Sequence, residues 1–405
     1  MKIIEKGSPT SPTGFSAAGI ACGLKDSVAL DLALLVSDRD CTASGVFTRN
    51  EIVAAPVVVD RETLAKNCER LRVMVANSGS ANAVTGAQGL ADARRMQALA
   101  AESIGCKPEQ ALVLSTGVIG VPLQMEKIAS GIAAAVNART SDGGLQAASA
   151  IMTTDSYAKH IAVSVALPQG EVIIGGMVKG SGMIHPNMAT LLAVITTDAA
   201  VAPENLQKML QSAAERSFNR ISVDGDTSTN DTLLLLANGA SGVDIDAASQ
   251  LEFETALNYV SLELAKMVVW DAEGASKFVT IHIAGVASEA DARAIGNTIA
   301  TSPLVKTAFA GSDPNWGRIL AAAGRAGVSF QPEKIGLWIA TPDGNPLQLV
   351  SNGAPTDFAE ADAAAIFARD EFNIQLDFGI GIAGTTMWTC DLTHEYITIN
   401  ADYRT

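Results

Sequence analysis

The sequence is poor in charged residues and in cysteine, and both shortages narrow the kind of protein it encodes. Only 18% of its 405 residues are Asp, Glu, Lys or Arg, while 48% are hydrophobic; a typical soluble chain is about 25% charged. This balance predicts a compact protein with a large buried core and room for a subunit interface. The five cysteines are scattered and form no Cys-x-x-Cys pair, which argues against a disulfide framework or a zinc site.

Long apolar runs and an excess of basic residues are also lacking. No hydrophobic run approaches the roughly 18 residues of a membrane-spanning helix, and the N-terminal segment has no apolar core of the signal-peptide type. The net charge is −15, which argues against a nucleic-acid partner because such binding depends on neutralising phosphates. We therefore expect a cytoplasmic protein that binds neither nucleic acid nor membrane.

Strand-like and helix-like segments alternate along the chain and predict an α+β fold of layered sheets and helices. Predicted strands include residues 71–79, 111–117, 230–239, 387–392 and 395–401. Predicted helices include residues 89–105, 125–138, 144–155, 203–218 and 250–270. Residues 160–180 are typical of two strands joined by a short turn at 168–170, and such hairpins favour α+β layers over a purely parallel sheet.

The segment KGSGMIHPNMATLLAVITTDAA, residues 179–200, changes from loop to strand at Thr190. A threonine hydroxyl in a constrained turn can attack the preceding carbonyl carbon, and hydrolysis of the resulting ester would split the chain between Ala189 and Thr190. The new terminal threonine would carry a hydroxyl nucleophile and an α-amine, which titrates near about 7.7–8.0 and can act as a general base. A threonine that merely begins a strand is the alternative that this segment leaves open.

Other polar segments offer candidate ligand contacts, each with a structural alternative. Thr116 and Gly117 end a predicted strand, where a hydroxyl and a backbone N–H can stabilise an oxyanion or simply form a turn. Glu273 follows a predicted helix and can bind an ammonium group or end that helix in solvent. The acidic loop 224–231 lacks the glycine and the glutamate of an EF-hand loop, so we expect a hydrogen-bonded turn there instead of a calcium site.

Several common catalytic motifs are missing from the sequence. Gly180 and Gly182 are not followed by the third glycine and the helix of a dinucleotide-binding fingerprint. The four histidines show no metal-ligand spacing, and neither G-x-S-x-G nor H-E-x-x-H occurs. A nicotinamide or flavin enzyme and a Ser-His-Asp hydrolase are therefore poorly supported.

Taken together, these segments resemble the ornithine acetyltransferases, also called glutamate N-acetyltransferases, of arginine biosynthesis. The resemblance spans nearly the whole chain and is carried by segments such as NSGSANAVTG, LSTGVIG, AIMTTDSYAK, MVKGSGMIHPNMATLLAVITTDA, DAEGASKFVTI and MWTCDLTHEYITINADYRT. The central segment is specific because few unrelated families share a long Gly/Pro/Asn/Met loop that ends in Ala-Thr. Ser80, Val84, Tyr157 and His185 depart from the usual pattern, but none of them has a proposed chemical role.

The resemblance implies a fold of the ornithine acetyltransferase type and self-cleavage between Ala189 and Thr190. Residues 1–189 would form an α chain and residues 190–405 a β chain, and the two would stay together as one active unit in an α2β2 assembly. Thr190 would take acetyl from N2-acetyl-L-ornithine and pass it to L-glutamate in a ping-pong reaction. No metal or organic cofactor is expected, and acetyl-CoA is a candidate co-substrate because some relatives are bifunctional.

The resemblance also implies roles for particular residues. Thr116 and Gly117 match the family's oxyanion-stabilising pair. Its substrate-binding positions are matched by Thr153, Lys179, Thr190, Glu273, Asn400 and Thr405. Glu273 can pair with the cationic ornithine side chain, and Lys179 can pair with the α-carboxylate.

Two other classes of protein stay open beside the acetyltransferase. An N-terminal-threonine amidohydrolase or peptidase would use the same nucleophile but release its acyl group to water. A non-enzymatic binding protein would keep one uncut chain, and Thr190→Ala would leave its function unchanged.

Overall fold

A computed structural model describes residues 1–25, 28–185 and 191–402. The predicted cleavage site at Ala189 and Thr190 and the predicted substrate contact Thr405 lie outside these residues. The strands are β1 Lys2–Ile3, β2 Phe15–Ile20, β3 Leu32–Phe47, β4 Leu71–Ser80, β5 Ala111–Val118, β6 Lys159–Leu167, β7 Gly170–Lys179, β8 Leu192–Thr197, β9 Ile221–Ser222, β10 Thr232–Ala237, β11 Phe278–Val286, β12 Gly336–Ala340, β13 Leu347–Ser351, β14 Ala354–Pro355, β15 Glu371–Asp377 and β16 Ala383–Cys390. The helices are α1 Ala55–Lys66, α2 Gly86–Ser103, α3 Met125–Ala138, α4 Gly144–Ala150, α5 Pro203–Arg216, α6 Gln250–Trp270, α7 Glu289–Ala300, α8 Pro303–Ala310, α9 Trp316–Gly324, α10 Glu360–Phe367 and α11 His394–Asp402.

Among the described residues, nine strands form the first sheet, in the order β1-β6-β7-β8-β10-β3-β4-β5, with β2 paired to β3. The β8–β10 and β4–β5 pairs are parallel, and the remaining pairs are antiparallel. The predicted hairpin at 160–180 is confirmed as β6 and β7. A mixed sheet of this kind, covered by helices, confirms the predicted α+β fold.

The long strand β3 links the two halves of this sheet. Its first part pairs with β2 and β4, its second part pairs with β10, and the register shifts between Val36 and Cys41. Both halves contribute buried side chains to one apolar cluster that also includes residues of α4. Helices α1–α3 pack around β2–β5, and α5 and α6 pack around the other half. The two halves of the first sheet thus face each other through this shared cluster, and helices α1–α3 and α5–α6 cover their outer faces.

In the part of the chain that the structure describes, a second sheet has seven strands in the order β14-β13-β12-β15-β11-β16-β9. Its apolar cluster includes Ile281, Leu337 and Ile374 from the strands and Ile295 and Phe309 from the helices. Strand β9 lies between α5 and β10 in the chain, yet it pairs with β16. This pairing joins the second sheet to the part of the chain that builds the first.

The strand predicted over 395–401 is wrong, because these residues lie in α11. The Thr393 hydroxyl accepts a hydrogen bond from the Glu395 N–H at 3.2 Å, which caps the helix. Tyr396 and Ile399 are half-buried, whereas Glu395, Ile397 and Thr398 are exposed. That spacing of three residues is typical of a helix that contacts the surface with one side. A strand at this point could not pair with β16, because β11 and β9 already lie on the two sides of that strand. The β-branched composition was therefore overridden by tertiary context.

The helix predicted over 144–155 is too long, because α4 ends at Ala150. The Asp155 carboxylate accepts the Thr153 N–H at 2.9 Å. A short acidic side chain that accepts hydrogen bonds from nearby backbone N–H groups competes with the helical hydrogen-bond pattern.

In the described part of the chain, no helix is both long and apolar enough to cross a membrane.

Candidate active site

A cavity of about 130 Å³ lies where β5, β7 and the segment after α6 meet the C-terminal helix α11. Its lining includes these residues that the sequence singled out: Thr116, Gly117, Thr153, Lys179, Glu273 and Asn400. They come from distant parts of the chain, and only Thr116 and Gly117 are neighbours in sequence. The structure therefore brings them together, while Thr190 and Thr405 lie outside the described residues.

The end of β5 is shaped by two facing glycines. Gly117 has φ +126° and pairs with Gly79, whose φ is +112°. A Cβ at Gly117 would lie 2.3 Å from the carbonyl carbon of Gly79, so a larger residue there would force the strands apart. The register shifts at Ser80, and such a bulge can re-aim the end of a strand. The close approach places Thr116 and Gly117 at the cavity.

Lys179 is the last residue of β7 and supplies a buried ammonium group. Its side chain donates a hydrogen bond to the Thr116 hydroxyl at 3.2 Å. Burial lowers the pKa of Lys179 below its usual value, whereas the negative charges of Asp155 and Glu273 act in the opposite direction. A buried ammonium beside a hydroxyl is suited to bind an anionic group, such as a carboxylate.

Glu273 supplies a carboxylate to the same cavity. Its backbone N–H donates to the Ser181 carbonyl at 2.9 Å, and its Oε2 accepts a hydrogen bond from the Asn400 amide at 2.8 Å. A Cβ at Gly182 would lie 2.3 Å from the same Oε2, so this position accommodates the carboxylate only as glycine. Glu273 therefore faces the cavity and does not simply end a helix in solvent.

Sequence reasoning missed several polar residues that hold these groups in place. Asp155 accepts hydrogen bonds from Lys159 and from the Gly180 N–H. Asn230 donates to the Ser115 carbonyl, next to Thr116. The motif TTDSYAK, which contains Asp155 and Lys159, was a signal for both, but their partners are too distant in sequence to be recognised from spacing.

Asp231 holds the first described residue beyond the predicted cut. Its Oδ1 accepts the Leu191 N–H at 3.1 Å, and the Thr232 N–H donates to the Leu191 carbonyl at 3.0 Å. Burial raises the pKa of Asp231 well above its usual value, which favours the neutral carboxyl. This pair of bonds fixes Leu191 immediately before β8.

The acidic loop 224–231 forms a hydrogen-bonded turn, as predicted. The Asp224 carboxylate accepts the N–H groups of Met183 at 2.6 Å, Ile184 at 2.9 Å and Asp226 at 3.2 Å. It also accepts a hydrogen bond from the Tyr396 hydroxyl at 3.2 Å. Asp224 thus joins the loop after β7 to α11.

Across residues 1–25, 28–185 and 191–402, no group of three His, Cys, Asp or Glu side chains is arranged to hold a metal ion.

The fold places an ammonium group, a carboxylate and hydroxyl groups around a cavity of a size suited to a small molecule.

A model of the ArgJ family matches residues 16–405. The arginine biosynthesis bifunctional protein ArgJ of Symbiobacterium thermophilum is 46% identical, over 98% of this chain and 99% of its own. The mitochondrial protein of the same name from Neurospora crassa is 49% identical, over 98% of this chain and 90% of its own. The chain is an acetyltransferase enzyme. It belongs to the ArgJ family.

Solved structures similar to this chain include ArgJ from Bacillus halodurans, which is 41% identical with a TM-score of 0.44. That match covers 46% of this chain and 97% of the solved chain. An ornithine acetyltransferase complexed with ornithine, from Mycobacterium tuberculosis, is 36% identical with a TM-score of 0.43. It covers 47% of this chain and 99% of its own.

Proposed function

We propose that the protein transfers the acetyl group of N2-acetyl-L-ornithine to L-glutamate, giving L-ornithine and N-acetyl-L-glutamate. The observation that carries this proposal is the cavity itself. One buried ammonium, Lys179, and one carboxylate, Glu273, share it with Thr116 and Gly117. A relative is named as an ornithine acetyltransferase complexed with ornithine, and ornithine carries both a carboxylate and ammonium groups.

Self-cleavage would create the nucleophile. The Thr190 hydroxyl would attack the carbonyl carbon of Ala189, and its proton would pass to the departing backbone nitrogen. Water would then hydrolyse the ester, leaving a carboxylate on an α chain of residues 1–189 and a free amine on a β chain of residues 190–405. That amine can serve as the general base of the finished enzyme.

The acetyl transfer would follow a ping-pong course. The Thr190 oxygen attacks the acetyl carbonyl carbon, and the Thr116 hydroxyl and the Gly117 N–H stabilise the oxyanion. Ornithine leaves as its nitrogen takes a proton, and an acetyl ester remains on Thr190. The glutamate amine then attacks this ester, forms the new amide bond and releases Thr190. Loss of one oxyanion donor in such a site lowers kcat by about 10²–10³.

The charged groups would orient both substrates. Lys179 would pair with the α-carboxylate, and Glu273 would pair with the side-chain ammonium of ornithine. Thr153, Asn400 and Thr405 would add polar contacts. The reaction needs no metal or organic cofactor, and acetyl-CoA is a candidate second acetyl donor. The α2β2 assembly stays a prediction. The cytoplasmic location also stays a prediction, since some similar proteins are named mitochondrial.

Intact-mass analysis tests the cleavage. Purified wild-type protein should give two fragments, residues 1–189 and 190–405, while Thr190→Ala should give one chain of 405 residues because it lacks the attacking hydroxyl. Thr307→Ala, an exposed position in α8, is the control and should be cut like the wild type. An active wild-type enzyme that runs as one uncut chain would overturn the self-cleavage mechanism.

Product analysis separates the acetyltransferase from an amidohydrolase. With N2-acetylornithine and glutamate together, we expect N-acetylglutamate and ornithine in equal amounts and little free acetate. Free acetate formed at the same rate with and without glutamate, and no N-acetylglutamate, would identify a hydrolase instead.

A further inference from the structure

Behind the cavity lies a buried ionic cluster, which we define as Asp155, Lys159 and Asp271. The Lys159 ammonium is 2.6 Å from Asp155 Oδ1 and 2.5 Å from Asp271 Oδ2. The side chains of Lys159 and Asp155 have no exposed surface, and that of Asp271 is 5% exposed. None of the three lines the cavity, so none has a direct role in the proposed chemistry.

Each carboxylate of the cluster also holds backbone at, or within two residues of, a residue that lines the cavity. Asp155 accepts the Thr153 N–H at 2.9 Å and the N–H of Gly180, the residue after Lys179, at 2.8 Å. Asp271 accepts the Ser156 N–H at 2.9 Å and also the Ser156 hydroxyl. Glu273 follows Asp271 by two residues. Three separate segments of the cavity wall are therefore tied to one buried ammonium.

Two members of the cluster, Asp155 and Lys159, also act on the charge of Lys179. Asp155 is the carboxylate that acts most strongly to keep Lys179 charged against the effect of burial, and Lys159 acts in the opposite direction. Burial alone would raise the pKa of Asp155, but the charges of Lys179 and Lys159, together with the hydrogen bonds from Lys159 and the Gly180 N–H, outweigh it and leave that pKa below its usual value. Further groups facing Lys179 are the carboxyls of Glu273 and Asp231 and the ammonium of Lys25.

We propose that Asp155 and Lys159 are positioning residues of the acetyl-transfer reaction, which hold Thr153, Lys179 and Glu273 in one arrangement and balance the charge beside Lys179. The proposal rests on the proposed function. A carboxylate without Lys159 would leave excess negative charge in the protein interior, and Lys159 without Asp155 would repel Lys179. The pair therefore sets both the place and the charge of the group that receives the substrate carboxylate.

A double-mutant cycle that removes the charges of Asp155 and Lys159 tests this role. Its three variants are Asp155→Asn, Lys159→Met and the double variant. Asparagine keeps the shape of aspartate and one acceptor oxygen, and methionine approximates the volume of the lysine stem. The measurement is the pH profile of kcat/KM for N2-acetylornithine from pH 6 to 10. We expect kcat/KM to fall on the high-pH limb of this profile as Lys179 loses its charge. Asp155→Asn should move this limb to lower pH, Lys159→Met should move it to higher pH, and the double variant should return it towards the wild type.

The single variants should also raise KM for N2-acetylornithine by about 10-fold and lower kcat by less, because the group bound in the ground state is misplaced. Glu263 and Lys266 form a partly exposed ion pair away from the cavity and provide a matched control. Glu263→Gln, Lys266→Met and their double variant should leave both KM and the pH limb unchanged.

Ornithine binding, measured by calorimetry over the same pH range, distinguishes failure of the positioning role from failure of the proposed acetyl-transfer reaction. If the wild type transfers no acetyl but the binding midpoints follow the predicted order, the reaction is wrong and the positioning role stands. If the wild type is active and all folded variants keep its pH limb, the positioning role is overturned. Should Lys159→Met fail to fold, Asp155→Asn and the double variant still decide between these outcomes.

Discussion

At the residue scale, Glu273 depends on the absence of a side chain at Gly182. Its carboxylate occupies the space that a Cβ at that position would fill, and it is held there by the Asn400 amide. Gly117 meets a stricter limit, because its Cβ would collide with backbone and its φ is positive. A side chain can move aside more easily than backbone, so the two glycines should respond differently to substitution.

Gly182→Ala should therefore impair binding without unfolding the protein. The methyl group would push the Glu273 carboxylate away and break its 2.8 Å hydrogen bond with Asn400. Hydrogen bonds to charged groups contribute about 1.5–3 kcal/mol, so we expect KM for N2-acetylornithine to rise about 10-fold. Steady-state kinetics and thermal unfolding measure both effects. Gly324→Ala, where a Cβ meets nothing, is the control, and an unchanged KM in Gly182→Ala would contradict the assigned contact.

Local sequence patterns pointed to Thr116, Gly117 and Glu273, whereas the other cavity residues could be singled out only through resemblance to a family. Thr153 and Asn400 are ordinary polar residues, and no local pattern distinguishes them. Lys159 and Asp271 escaped notice because they are 112 residues apart and meet only in the folded chain. The roles of all these residues stay predictions until variants are measured.

At the element scale, periodicity identified the segments that bury a regular apolar face. The helix predicted over 125–138 matches α3, and the strand predicted over 71–79 matches all but the last residue of β4. The sequence did not reveal α11, because its composition favours a strand and its helical form depends on Thr393, Tyr396 and the surface beneath them.

The helix α11 rests on the molecule through polar contacts. Thr393 donates to the Gly274 carbonyl, Tyr396 donates to Asp224, and Asn400 donates to Glu273. A helix held in this way should open locally more easily than one packed into a core. In hydrogen-exchange mass spectrometry we expect α11 to exchange faster than α6, and Tyr396→Phe to exchange faster still. Equal protection of α11 and α6 would contradict this expectation.

At the scale of the whole molecule, the order of strands is interleaved with respect to the proposed cut. Strands β8 and β10 would belong to the proposed β chain, yet they lie between β7 and β3, which would belong to the proposed α chain. Each chain would thus contribute the hydrogen-bonding neighbours that the other lacks. The cut would fall between β7 and β8, which are adjacent in the sheet.

Refolding should therefore depend on whether the chain is cut. After denaturation, the uncut Thr190→Ala chain should refold with a yield independent of dilution, because all its strands are covalently linked. The yield of cut wild type should fall as the protein is diluted, because two molecules must meet. Tryptophan fluorescence and native mass spectrometry measure the two yields. Equal, concentration-independent yields would show that the cut does not separate partners within the sheet.

The interleaved strands also impose a sequence of events in time. A sheet whose middle strands come from one fragment and whose flanks come from the other is assembled most directly while both are still one chain. The bond between Ala189 and Thr190 would then serve as a temporary tether, needed for assembly and removed once the surrounding structure can hold its own attacking group in place. The proposed enzyme would mature only after it has folded, so an unfolded chain would remain inactive by construction.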